Sequence, residues 1–149
     1  KNHMKRKLLI LTGALAVILI AIQLVPVERT NPPVVADFDG PTAVKAVLET
    51  SCYDCHSHET SWPWYSRVAP MSWLVAHDVE EARDHLNFSQ WGTLDAKRRE
   101  KLTEEIWEEV EEGEMPLKVY LLAHPDARLS EADKATLRDW SLASHGTRG

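Results

Sequence analysis

The chain has 149 residues, 44% of them hydrophobic and 27% charged, a length and balance that point to one domain with a modest core. Residues 1–27 hold four of the seventeen basic side chains and none of the twenty-three acidic ones, so the rest carries a formal charge of −10. That surplus argues against nucleic acid as a partner and leaves a basic protein or a small ligand.

Lys5, Arg6 and Lys7 precede a nearly unbroken apolar run, Leu8 to Val25, that stops at Pro26. As a helix such a run is about 27 Å long, close to the hydrocarbon thickness of a bilayer. No small-residue cleavage site follows it, so residues 8–27 read as an uncleaved transmembrane signal anchor. The basic residues place 1–7 in the cytoplasm and all that follows on the periplasmic or extracytoplasmic side. Residues 28–40, "ERTNPPVVADFDG", carry two adjacent prolines and no apolar period, which predicts an extended linker. The domain proper is then expected over 41–149.

Four helices are predicted in that domain. Thr42–Ser51 places Val44, Val47 and Leu48 on one face, and Ser72–Leu86 carries Val75, Val79, Ala82 and Leu86 as a stripe that Asn87 interrupts. A third runs from about Thr93 to Glu112, with Leu102, Ile106 and Val110 inward and Gly113 as its stop. Its basic residues come first and its glutamates last, against the helix dipole, so packing must hold it. The glutamates form either a solvated face or a docking patch for a basic redox partner. The fourth helix starts at Ser130, with Asp133 completing an acidic capping box and Leu137 and Trp140 for the core. No stretch alternates like a strand, and the class is all-α. Trp62, Trp64, Tyr65, Trp73, Trp91, Trp107 and Trp140 can fill a core or wrap a flat apolar ligand.

Both cysteines lie in Cys52-Tyr53-Asp54-Cys55-His56, which matches the C-x-x-C-H attachment motif of c-type haem. Two thiols one helical turn apart can add to the two vinyl groups of one haem, and the next imidazole becomes an axial ligand of the iron. A zinc site from Cys52, Cys55, His56 and His58 lacks the usual separated second ligand pair. A thioredoxin-like redox pair lacks its βαβ setting, and a Cys52–Cys55 disulfide would staple only a tiny loop. One covalently attached haem c is therefore the expected cofactor.

Electron carriers usually fill the sixth iron position with methionine or histidine. Met71, Met115, His77, His85, His124 and His145 are available, whereas His58 is too close to His56 to reach the other haem face. Met115 is favoured because "GEMPL" follows the third helix in a segment that Pro116 keeps irregular. His77 and an open or water-bound site are the alternatives, and Met115 as a core filler is the bland reading. His56 should donate its other ring nitrogen to an acceptor near Pro63 or Pro70. Arg67 is a candidate partner for a haem propionate, and Trp64 for packing at the haem edge.

Residues 51–91 and 113–140 carry C-x-x-C-H, P-W-Y, L-N-F-S-x-W and G-x-M-P. In that combination they resemble the bacterial haem-binding domain family, which looks like membrane-anchored single-haem cytochromes. The resemblance implies a cytochrome c-like helical fold, attachment through Cys52 and Cys55, His56 as proximal ligand and Met115 as distal ligand. One departure is Ala82 where glycine is expected before Arg83. The expected function is one-electron transfer by a haem protein that is not an enzyme. A haem-based sensor or a peroxidase-like site are the alternatives, the latter without any clear acid–base pair.

Overall fold

The computed structural model describes residues 2–145. Seven α-helices are joined by short 3-10 turns and loops, with no strand among the described residues: α1 Asn2–Ala21, α2 Thr42–Ser51, α3 Tyr53–His56, α4 Met71–His85, α5 Ala96–Glu112, α6 Tyr120–Ala123 and α7 Glu131–His145. The all-α class is as expected. The residues group into two compact units, one of residues up to Thr30 with Trp62–Asp78, the other of Asn31–Ser61 with residues from Val79 onward. Helix α4 contributes to both.

In the first unit α1 buries none of its residues and runs into a 3-10 turn at Ile22–Leu24. Residues Asn2–Leu24 are long and apolar enough to cross a membrane, with a mean hydropathy of 2.3 over the best window. Near their end Gln23 pairs with the backbone of Ala69 in both directions: its amide donates to the carbonyl at 3.2 Å, and the Ala69 N–H donates back at 2.9 Å.

The second unit holds the core. Val44, Val47 and Leu48 of α2, Leu102, Ile106 and Val110 of α5 and Leu137 of α7 are buried together with Phe38, Tyr53, Phe88 and Trp91. α5 lies along α7, and α2 packs on α7 and α3. Removing Leu48, Phe88 and Leu137 wholly from water stabilises the fold by about 2 kcal/mol each. Phe38, Tyr53, Phe88, Trp91 and Trp140 form a contiguous aromatic cluster, with the Tyr53 and Phe88 rings stacked at 5.0 Å. Part of the aromatic load therefore fills the core, while Trp64 and Trp73 stay exposed.

Helix ends follow local chemistry. Ser130 and Asp133 bond reciprocally at the start of α7, each side chain accepting the other's backbone N–H. Gly113 closes α5 with φ of 74°, and the N–H groups of Glu114 and Met115 fold back onto the Glu109 carbonyl. α5 starts at Ala96 rather than Thr93, because Phe88–Thr93 forms a 3-10 turn and Asp95 is the N-cap, accepting from the Arg98 N–H.

The expected linker 28–40 is extended but not a free spacer from Asn31 onward. Val35 and Ala36 donate to the Ser89 carbonyl, Gly92 donates to Ala36, and Phe38 is buried in the core. A side chain at Gly92 would put its Cβ 2.8 Å from the Ala36 Cβ, so glycine permits this close approach. The packed part of the chain thus begins ten residues before Pro41, anchored by an aromatic side chain that a spacer would not bury.

Candidate haem-attachment site

The C-x-x-C-H residues form their own turn. α2 ends at Ser51, the backbone shifts at Cys52, and the Cys55 and His56 N–H groups donate to the Cys52 carbonyl at 3.2 and 2.9 Å. No disulfide links Cys52 and Cys55, and both are half-buried. Burial, helped by the neighbouring Cys55, pushes the Cys52 thiol up to about 12, so it stays protonated at neutral pH.

The two residues between the cysteines anchor the turn. Tyr53 points into the core, and its hydroxyl donates to Asp37 at 2.9 Å; Asp37 in turn takes the Lys45 ammonium. Asp54 accepts from the Ser61 N–H at 2.8 Å and from the Tyr120 hydroxyl at 2.7 Å. That second bond ties α6, and with it the segment after Met115, to the Cys52–His56 turn. The Tyr120 ring stacks on His124 at 4.3 Å.

His56 is held from behind by α4. Its Nδ1–H faces the Ala82 carbonyl at 3.0 Å and the Leu86 carbonyl at 3.2 Å. Carbonyls only accept, so the proton sits on Nδ1 and Nε2 keeps its lone pair. Burial pushes the imidazole below its usual range, against the pull of the two carbonyls, and keeps it neutral. The acceptors expected near Pro63 or Pro70 are instead the Ala82 carbonyl in the last turn of α4, which also takes the Leu86 N–H, and the Leu86 carbonyl just past the helix. The Ala82 methyl group leaves this contact intact because the backbone makes it. Phe88 meets the His56 ring edge-on, with centroids 6.5 Å apart.

Behind the motif lies a network whose roles the sequence did not reveal. Arg83 donates to the Ser57 carbonyl at 2.7 Å, to the Thr60 hydroxyl at 2.8 Å and to the Asn31 side chain at 3.2 Å. His58 is buried, with Nδ1 donating to the Pro33 carbonyl at 2.9 Å and Nε2 accepting from Asn87 at 2.8 Å. Ser89 accepts the His58 N–H and donates its own to Asn87. The L-N-F-S segment was the visible signal, since it supplies Leu86 just past α4, Asn87, Phe88 and Ser89. With both ring nitrogens engaged, His58 serves the protein's own framework rather than a zinc ion.

Met115 is half-buried in the loop after α5, its backbone fixed to Glu109. Leu117, Val119 and Leu122 are exposed in the segment that Tyr120 ties to the motif. His85 is exposed at the end of α4, His124 is half-buried, and the His145 side chain lies outside the described residues. Met71, His77, Trp64 and Arg67, all exposed, belong to the first unit and not to the one that carries the thiols. Two thiols, a neutral imidazole with a free Nε2 and uncovered apolar side chains on the segment that Tyr120 ties to the motif suit a haem.

The model of a family described as a haem-binding domain matches residues 17–143. No curated protein and no solved structure matches the chain.

Proposed function

The chain belongs to the haem-binding domain family, and on that premise we propose that it is a membrane-anchored single-haem c-type cytochrome that passes electrons one at a time. The observation that carries this reading is the Cys52–His56 turn with its imidazole pinned through Nδ1. Cys52 and Cys55 would hold the haem through two thioether bonds, each formed by adding the thiol S–H across one vinyl group, with sulfur on the carbon next to the macrocycle and the proton on the terminal carbon. The addition is redox-neutral and needs no co-reactant. His56 Nε2 and the Met115 thioether would be the two protein donors to the iron. When bound, haem supplies the one-electron change between ferrous and ferric iron.

The protein's part is to hold these donors. The α4 carbonyls fix the His56 tautomer and ring plane and make Nε2 more electron-rich. Tyr53 and Asp54 hold the turn that spaces the thiols. A thioether from Met115 would raise the potential relative to two histidines and leave no open position on the iron for a substrate, which suits a carrier. The apolar α1 anchors the chain, with Lys5–Lys7 on the cytoplasmic side. The exposed glutamates from Glu108 to Glu114 suit a basic redox partner.

The test is whether the cofactor is covalent. In the wild type haem should remain on the chain through denaturing electrophoresis, and Cys52→Ala with Cys55→Ala should release it. Low-spin spectra unchanged by carbon monoxide support the carrier; ready carbon monoxide binding by the wild type points to a sensor or peroxidase-like site instead.

A further inference from the structure

The first unit leaves an unusual surface uncovered. Within eleven residues Trp64, Val68, Met71, Trp73 and Leu74 are all exposed, and Trp64 shows 77% of its surface. Exposed large apolar groups gathered on one segment usually mark a contact surface rather than a soluble face. This segment is fixed to the end of the apolar span: Gln23, in the 3-10 turn that finishes it, grips the Ala69 backbone by two hydrogen bonds. Between them lies a cavity of about 330 Å³ whose lining includes Gln23, Val27, Arg29, Arg67 and Ser72. Neither Arg29 nor Arg67 makes an ion pair among the described residues.

We propose that Trp64–Leu74 is a bilayer-contact platform that seats its tryptophans at the headgroup level and presents Arg29 and Arg67 to the phosphates of anionic lipids. It rests on α1 being the membrane anchor. The height is set by continuity, because Ala69 is bonded to a residue at the end of the span. Tryptophan suits this depth, with an apolar ring facing the acyl chains and an indole N–H facing water. Val68, Met71 and Leu74 add apolar area on the same segment, as in helices that lie along an interface. The two guanidiniums match phosphate geometrically as well as in charge. The platform therefore limits how the chain turns about the axis of its anchor.

The test uses the full holoprotein in vesicles of phosphatidylcholine with one-third phosphatidylglycerol. Trp64 and Trp73 are replaced in turn by a benzophenone amino acid, with the unirradiated sample as the control. Irradiation should give lipid adducts from 64 and 73. The adducts should favour phosphatidylglycerol, and Arg29→Gln with Arg67→Gln should cut that preference by on the order of tenfold. A chain that resists carbonate extraction yet gives no lipid adducts at 64 and 73 overturns the platform. A shifted Soret band in Trp64→Phe or Arg67→Gln also overturns it and assigns these residues to the cofactor. Release of the wild-type chain by carbonate overturns the anchor itself, and the platform with it.

Discussion

The His56 imidazole faces the Ala82 carbonyl at 3.0 Å, so the last residue of the Cys52–His56 motif is oriented by a helix residue 26 positions downstream in the chain. His56→Ala should separate attachment from ligation. Thioether bonds of the kind proposed would not need the imidazole, so haem should stay on the denatured chain, while the folded protein should turn from low-spin to high-spin. In the reduced wild type a slowly exchanging Nδ1 proton should be visible by NMR, and it should vanish in His56→Ala.

Met115 and His77 make opposite predictions. Met115→Ala should remove the sulfur-to-iron charge-transfer band and open the iron to carbon monoxide; if another histidine then binds, the potential should fall. His77→Ala should leave all of these unchanged. An altered spectrum in His77→Ala with a normal one in Met115→Ala would establish a bis-histidine pair and remove the case for a high-potential carrier.

Arg83 joins three segments through one guanidinium. Arg83→Met strips hydrogen-bond donors from Ser57, Thr60 and Asn31 and should cost about 3 kcal/mol in denaturant unfolding of the holoprotein. Arg83→Lys should recover only part of this, because one ammonium cannot reproduce the planar fork. Equal stability in Arg83→Met and wild type would show that water replaces these contacts without loss.

Asp37 and Tyr53 set opposite limits of pH. Burial pushes the Asp37 carboxyl upward, but bonds from Lys45, Phe38 and Tyr53 outweigh it and hold the group below its ordinary value. Its contribution is complete above about pH 4 and is lost as pH falls through the lower folded value. Burial and the bond to Asp37 raise the Tyr53 phenol, so its contribution holds below about pH 10 and is lost as pH rises beyond it. Asp37→Asn should lose about 1 kcal/mol at neutral pH and show a flatter acid limb; Tyr53→Phe should flatten the alkaline limb. Unchanged limbs in both variants would show that the pair does not govern them.

What the sequence made legible is what neighbouring residues decide together. Both ends of α2, the Gly113 stop and the Ser130–Asp133 box follow from local spacing, and the structure has them where that spacing puts them. α3 and α6 were not legible, because four residues are too few to show a period. Phe38 sits in an extended stretch where burial has no signature, so its segment reads as a spacer. The acceptor for His56 and the partners of Arg83 and His58 are tertiary contacts across more than twenty residues, which no local pattern encodes. The thiols and the imidazole were legible because their chemistry needs them adjacent.

The signature Cys-x-x-Cys-His is written as though its two middle letters were blanks. In this chain Tyr53 is spoken for by Asp37 and Phe88, and Asp54 by Ser61 and Tyr120. A search that matches only the outer three letters would accept sequences that keep the thiols and imidazole but lose the framework that spaces them. The grammar of this turn is five letters long.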